Sequence, residues 1–257
     1  MSSAESPDGV FDLYSRYYDL LYADKDYAGE ADYVAKTLRR LGINGDRILE
    51  FGCGTGRHAR QLVQQGFCIT GVERSEQMVQ LATANHDDRF RAIVADIRHV
   101  RLSERFDAVI SLFHVISYLT TTDDLSAAFR SASEHLGIGG VFLFDVWHGP
   151  AVLTQRPSVR VRQMRNDELE VTRIAEPELN SQDGIVTVNY TVFARKKGED
   201  HWKSLSESHR MRYLFPTEIK MLAEQAGFEV AVCEEFQTGQ LASDQTWGVT
   251  YGLRKVS

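Results

Sequence analysis

The stretch Ile48-Leu-Glu-Phe-Gly-Cys-Gly-Thr-Gly-Arg57 limits the fold more than any other part of the chain. A strand-like apolar run meets glycines at 52, 54 and 56, and helical spacing begins at Arg57. A strand passing into a helix through a glycine turn is the opening unit of a doubly wound sheet. Glycine there also lets a ligand lie against the backbone. The spacing is G-x-G-x-G. A dinucleotide site needs G-x-G-x-x-G, and its third glycine would fall on Arg57. Pyrophosphate recognition needs a close helix N-terminus at that place, so the spacing argues against NAD.

The flanking pattern agrees with that fold. Strands are expected at Arg47–Phe51, Phe67–Glu73, Phe90–Val94, Phe106–Ser111 and Gly140–Val146. Helices are expected between them at Arg57–Gln65, at Ser75–Ala84 with Ser75 as cap, and at Asp123–Leu136. Ahead of them, Asp12 to Leu41 reads as helical and stops near Gly42. Such alternation predicts an α/β, Rossmann-like, doubly wound parallel sheet. The rhythm then changes to alternating strands at Val159–Arg165, Leu169–Ala175, Ile185–Arg195 and His201–Tyr213. Pro216 opens a last helix that ends at Gly227, and Phe228–Glu235 and Gly248–Arg254 are closing strands. The chain therefore reads as a core of residues 1–151 and 214–257 around an antiparallel β insertion at 152–213.

Composition narrows the function classes. At 257 residues and 43% hydrophobic, the chain can bury a real core. A net charge of −7 disfavours nucleic acid or an anionic membrane as partner. No apolar run approaches the ~18 residues of a membrane span. The three cysteines, 53, 68 and 233, form no C-x-x-C pair, so no disulfide framework is expected and a reducing cytoplasm is the natural compartment. The start, MSSAESPDGV, lacks the basic and apolar segments of a secretory signal. No histidine sits in an H-x-x-x-H frame, so no metal is indicated.

Two acidic residues give the glycine turn its ligand. Glu73 ends strand two, 17 residues after Gly56, where a carboxylate can accept from both hydroxyls of a ribose. Asp96 follows strand three and can accept from an exocyclic amino group such as that of adenine. Together they describe a site for an adenosine without phosphates.

Glu50-Phe-Gly-Cys-Gly-Thr-Gly56, Glu73, Asp96 and Phe106-Asp-Ala-Val109, in this order, resemble the motifs of class I S-adenosylmethionine-dependent methyltransferases. The resemblance implies strand order 3-2-1-4-5-7-6 with the seventh strand antiparallel, and S-adenosyl-L-methionine as donor. It implies a donor site of Gly52, Cys53, Gly54, Gly56, Glu73, Arg74, Met78, Asp96, Ile97 and Phe113, joined by Tyr14 and Tyr18. Tyr18-Asp19, Lys25-Asp26-Tyr27, Glu30-Ala31, Thr172-Arg173, Glu207-Ser-His-Arg-Met-Arg-Tyr-Leu-Phe215 and Asp145-Val-Trp147 are similar to bacterial nucleotide-sugar N,N-dimethyltransferases. That likeness implies a nucleotide-linked amino sugar as acceptor and a homodimer formed through the insertion. The family's candidate histidine corresponds to Tyr118 here, and a histidine stands earlier, at His114.

Methyl transfer needs aligned reactants and, for an amine or hydroxyl, a group that takes the proton. His114 and Tyr118 follow strand four and are the candidate catalytic residues; each also suits ordinary packing. Tyr14, Tyr18 and Tyr22 share one helical face, either as a core stripe or as a lid over the donor. Arg156, Arg160, Arg162 and Arg165 form either a solvated strand face or a phosphate contact. Glu207 and His209 share a strand face. A donor-binding regulatory subunit and a protein methyltransferase are the alternative functions.

Overall fold

The structure is a computed structural model that describes residues 25–84 and 87–257. In chain order its elements begin with α1 (Tyr27–Arg40), β1 (Arg47–Phe51), α2 (Arg57–Gln64), β2 (Cys68–Glu73), α3 (Glu76–Thr83), β3 (Phe90–Val94) and β4 (Phe106–Ser111). A 3-10 turn (Val115–Tyr118), α4 (Thr122–His135), β5 (Leu136–Trp147) and α5 (Gly149–Gln155) follow. Then come β6 (Arg160–Arg165), β7 (Leu169–Asn180), β8 (Ile185–Lys196), β9 (Lys203–Arg212), α6 (Pro216–Gln225), β10 (Phe228–Glu235) and β11 (Gly248–Lys255). The chain divides into two compact units, and residues 27–156 and 211–257 build the larger one.

The larger unit holds a seven-stranded sheet in the order β3-β2-β1-β4-β5-β11-β10. Strands β1 to β5 run parallel, and β11 enters antiparallel between β5 and β10. This is the expected order, with β11 as the seventh strand of the pattern. Strand alternation divides the core. Leu49, Phe51, Val109, Phe142 and Phe144 face the layer of α4 and α6, with Phe129, Ala132, Ile219 and Leu222. Ile48, Ile110, Val141 and Leu143 face the layer of α1 and α2, with Val34, Leu38, Ala59 and Leu62. Both faces are covered, which is why these strands are apolar throughout.

Ser75 caps α3, its hydroxyl accepting from the Met78 N–H. Thr121 caps α4 in the same way through Asp124, so the helix begins at Thr122, one residue ahead of the expected Asp123. Three elements depart from expectation. β5 begins at Leu136, because Leu136 already pairs with Phe106 of β4. Helix α5 was not expected, although Pro150 at its first turn is a start signal. β7 continues through Pro177 to Asn180. Its pairing with β6 ends at Ala175, two residues before Pro177, and proline is tolerated where a strand borders an edge.

The smaller unit is built on residues 157–180 and 186–210 and carries the four-stranded sheet β6-β7-β8-β9. Leu169, Val171, Val192 and Ala194 form its own small core, with Met164 and Leu205 against it. Farther along the sheet, the Arg173 guanidinium lies over the Tyr190 ring and Tyr190 meets His209 edge-on, while His209 Nε2 stands 3.2 Å from Glu207.

Candidate active site

The glycine turn is built from two kinds of glycine. All three have positive φ, at 71°, 53° and 75°. A Cβ on Gly52 would stand 2.6 Å from the Val115 methyl groups, and one on Gly56 2.5 Å from the Phe90 ring. These two allow neighbouring loops to close on the turn. Among the described residues, nothing lies within 4 Å of a Cβ on Gly54, which leaves room for a ligand beside the backbone. Gly56→Ala is therefore expected to cost about 2–4 kcal/mol of stability, read from urea unfolding, because strain at positive φ adds to overpacking.

Glu73 is tied to this turn. Its Oε2 accepts from the Gly54 N–H at 3.1 Å and its Oε1 from the Ser75 N–H at 2.9 Å. Each carboxylate oxygen retains a lone pair for one more donor, which fits the two hydroxyls of a ribose. Asp96 is held by Arg98, whose backbone N–H and Nε donate to Oδ1 at 2.9 Å and whose guanidinium also reaches Oδ2. The guanidinium bond is the main cause that pulls the Asp96 carboxyl down to about 2. Arg98 is itself braced by Asp124 at 2.7 Å. Cys53 and Ile97 are buried, Met78 is half-buried and Arg74 is exposed. The open face at Gly54 and the spare acceptors on Glu73 fit an adenosyl group. Tyr14 and Tyr18 lie outside the described residues.

Glu50 sits on β1 behind the turn, fully buried, and its Oε2 has no hydrogen-bond partner. Burial first, and the Glu73 charge second, push its carboxyl up to about 8. An unfolded glutamate titrates near 4.3, so between about pH 4 and pH 8 the unfolded chain releases a proton that the folded chain keeps. Glu50 thus costs stability increasingly as pH rises through that window. Glu50→Gln is expected to stabilise the fold by roughly 1–2 kcal/mol more at pH 8 than at pH 5, measured by urea unfolding at both.

After β4 the backbone turns sharply. Phe113 and His114 are consecutive non-glycine residues at positive φ, 65° and 59°. The His114 N–H donates to both oxygens of Asp145 at 3.2 Å, and Nδ1 of its ring stands 2.6 Å from Oδ2. The ring nitrogen makes no aligned hydrogen bond there, so this contact is a close approach of charge to ring. Trp147 meets the His114 ring edge-on at 6.2 Å, and Trp247 meets Trp147 at 6.0 Å. Tyr118 ends the 3-10 turn and is 49% exposed, and Phe113 is 38% exposed. Ser117 is buried, its hydroxyl accepting from the Trp147 N–H.

Asp145 and Trp147 end strand five, as expected from the sequence, and the fold sets them against His114. A second group has no sequence signal at all. Glu30 Oε2 stands 2.7 Å from His58 Nε2, both residues being buried. Tyr27 meets the His58 ring edge-on, and Arg57 lies over Tyr27. This cluster packs at the start of α2, directly after Gly56. No local pattern marks a pair formed across 28 residues.

Known proteins share this fold. A family model described as a methyltransferase domain matches residues 48–140. A dTDP-3-amino-3,4,6-trideoxy-alpha-D-glucopyranose N,N-dimethyltransferase of Streptomyces venezuelae is 31% identical over 87% of this chain and 93% of its own. The crystal structure of Streptomyces venezuelae DesVI superposes with a TM-score of 0.78 at 25% identity, covering 99% of this chain and 100% of that one. An S-adenosylmethionine-dependent methyltransferase of Clostridium acetobutylicum shares the fold at a TM-score of 0.81 and 22% identity, covering 96% of this chain and 100% of that one. With sheet order, glycine turn and strand-end acids all in place, the chain belongs to the class I S-adenosylmethionine-dependent methyltransferases, in the family of the nucleotide-sugar N,N-dimethyltransferases.

Proposed function

We propose that the protein methylates the amino nitrogen of a nucleotide-linked sugar. The observation that carries this reading is the near full-length match to a dTDP-amino-sugar N,N-dimethyltransferase. When bound, the donor supplies an electrophilic methyl group on a sulfonium. Gly54 gives it room, Glu73 accepts from its two ribose hydroxyls, and Asp96 accepts from its adenine amino group. Phe113 packs against it, with Cys53, Met78 and Ile97 lining the apolar side. In this reading Tyr14 and Tyr18 complete the donor site. His114 takes the proton that the acceptor ammonium must lose, and Tyr118 orients the acceptor through its hydroxyl.

The insertion, residues 152–213, binds the acceptor or pairs two chains. Arg162 and Arg173 lie directly opposite each other across β6 and β7, and Arg173 has a buried Nε without a partner. Facing cations repel, and a polyanion such as a nucleotide diphosphate relieves that repulsion. Among the described residues β6 and β9 are the outer strands of this sheet, and an outer strand can pair with a second chain in a homodimer. A monomer in light scattering at micromolar concentration would remove the dimer. We assign the enzyme to the cytoplasm, where its three free cysteines stay reduced.

The test is methyl transfer from labelled S-adenosylmethionine to a panel of nucleotide amino sugars and their hydroxyl counterparts, with mass spectrometry of the products. Label on an amino sugar is the expected result. Transfer only to hydroxyl sugars, or only to a protein, overturns the proposed acceptor.

A further inference from the structure

His114 sits on backbone that needs an external hold. Two consecutive non-glycine residues in the left-handed region are strained and persist only where the surroundings impose them. One carboxylate holds this turn through the His114 N–H. Asp145 lies in β5, opposite Thr250 of β11, with its side chain only 2% exposed. Both oxygens accept from the His114 N–H, and Oδ2 approaches Nδ1 to 2.6 Å. The ring is further confined by Trp147, which meets it edge-on. So the same group holds the backbone of His114 and sets a negative charge beside Nδ1 of its ring.

We propose that Asp145 is a positioning residue. It holds the ring proton on Nδ1 and leaves Nε2 of His114 as the proton acceptor for the acceptor ammonium. A carboxylate beside one ring nitrogen favours the proton on that nitrogen, and the other nitrogen then carries the lone pair. In the step it serves, the N–H bond of the ammonium breaks and the proton goes to Nε2. The electron pair stays on the acceptor nitrogen and then forms the new C–N bond, while the S–C pair stays on sulfur. The inference rests on methyl transfer to an amine.

Nitrogen NMR of labelled protein reads the tautomer directly. The His114 signals are assigned by their loss in His114→Gln. Wild type is expected to show a protonated Nδ1 and a bare Nε2, and Asp145→Asn a mixture of the two tautomers. With an amino-sugar acceptor, Asp145→Asn is expected to lower kcat by roughly 10²-fold, with KM held within about twofold. In the His114→Gln background the same change should cost less than about twofold, because Asp145 acts through the ring. An Nε2-protonated His114 in wild type overturns the proposal, as does an equal Asp145 effect with and without His114. If Asp145→Asn does not fold, the wild-type tautomer decides. If no amino sugar is methylated, the proposed acceptor fails, and the tautomer still judges the role of Asp145.

Discussion

His114→Ala is expected to lower turnover by about 10²–10⁴-fold while leaving S-adenosylhomocysteine affinity nearly intact. The residue stands beyond β4 with Asp145 and Trp147, whereas the Glu73 carboxylate bonds the glycine turn at Gly54. Removing a proton acceptor there spares the adenosyl contacts. The pH dependence separates two acceptors. With an amine, the loss should shrink as pH rises, because solvent deprotonates more of the amine. With a hydroxyl, it should stay large across the range. Tyr118→Phe removes only an exposed hydroxyl and should act in the same direction with a smaller loss. Steady-state kinetics with the acceptor identified by mass spectrometry checks both. Unchanged turnover in both variants would mean that catalysis is alignment alone.

Glu73→Ala is expected to weaken S-adenosylhomocysteine binding tenfold or more without unfolding the protein. A hydrogen bond to a charged group is worth about 1.5–3 kcal/mol, and about 1.4 kcal/mol is a factor of ten in affinity. The change also frees the N–H groups of Gly54 and Ser75, which now donate to the carboxylate. Glu73→Gln keeps an acceptor for one of them and should lose less. Calorimetric titration measures the affinities, and circular dichroism confirms the fold. An unaltered dissociation constant for Glu73→Ala would refute the ribose assignment.

The core elements were legible for a physical reason. Strands covered on both faces read as apolar runs, and helices between them show caps and glycine stops. Ser75 and the stop at Gly66 are such local signals, each within a few residues of what it controls. The mistakes lie where a neighbour overrides local pattern. Leu136 becomes strand because Phe106 pairs with it, and Pro177 is tolerated because β6 has already ended.

The candidate site divides in the same way. The donor half was readable because glycine spacing and strand-end acids are chain-local, and a parallel sheet carries successive strand ends to one edge. The sequence by itself determined the glycine turn, the acids at 73 and 96, and the order of elements that makes a doubly wound sheet. Only the tertiary structure decided which groups meet across long separations. It set Asp145 against both the backbone and the ring of His114, 31 residues apart, and Glu30 against His58. It also left Oε2 of buried Glu50 without a partner among the described residues, and its carboxyl protonated well above the ordinary range. Those pairings depend on strand register and on which side chains are withdrawn from water, and neither leaves a periodic trace in the chain.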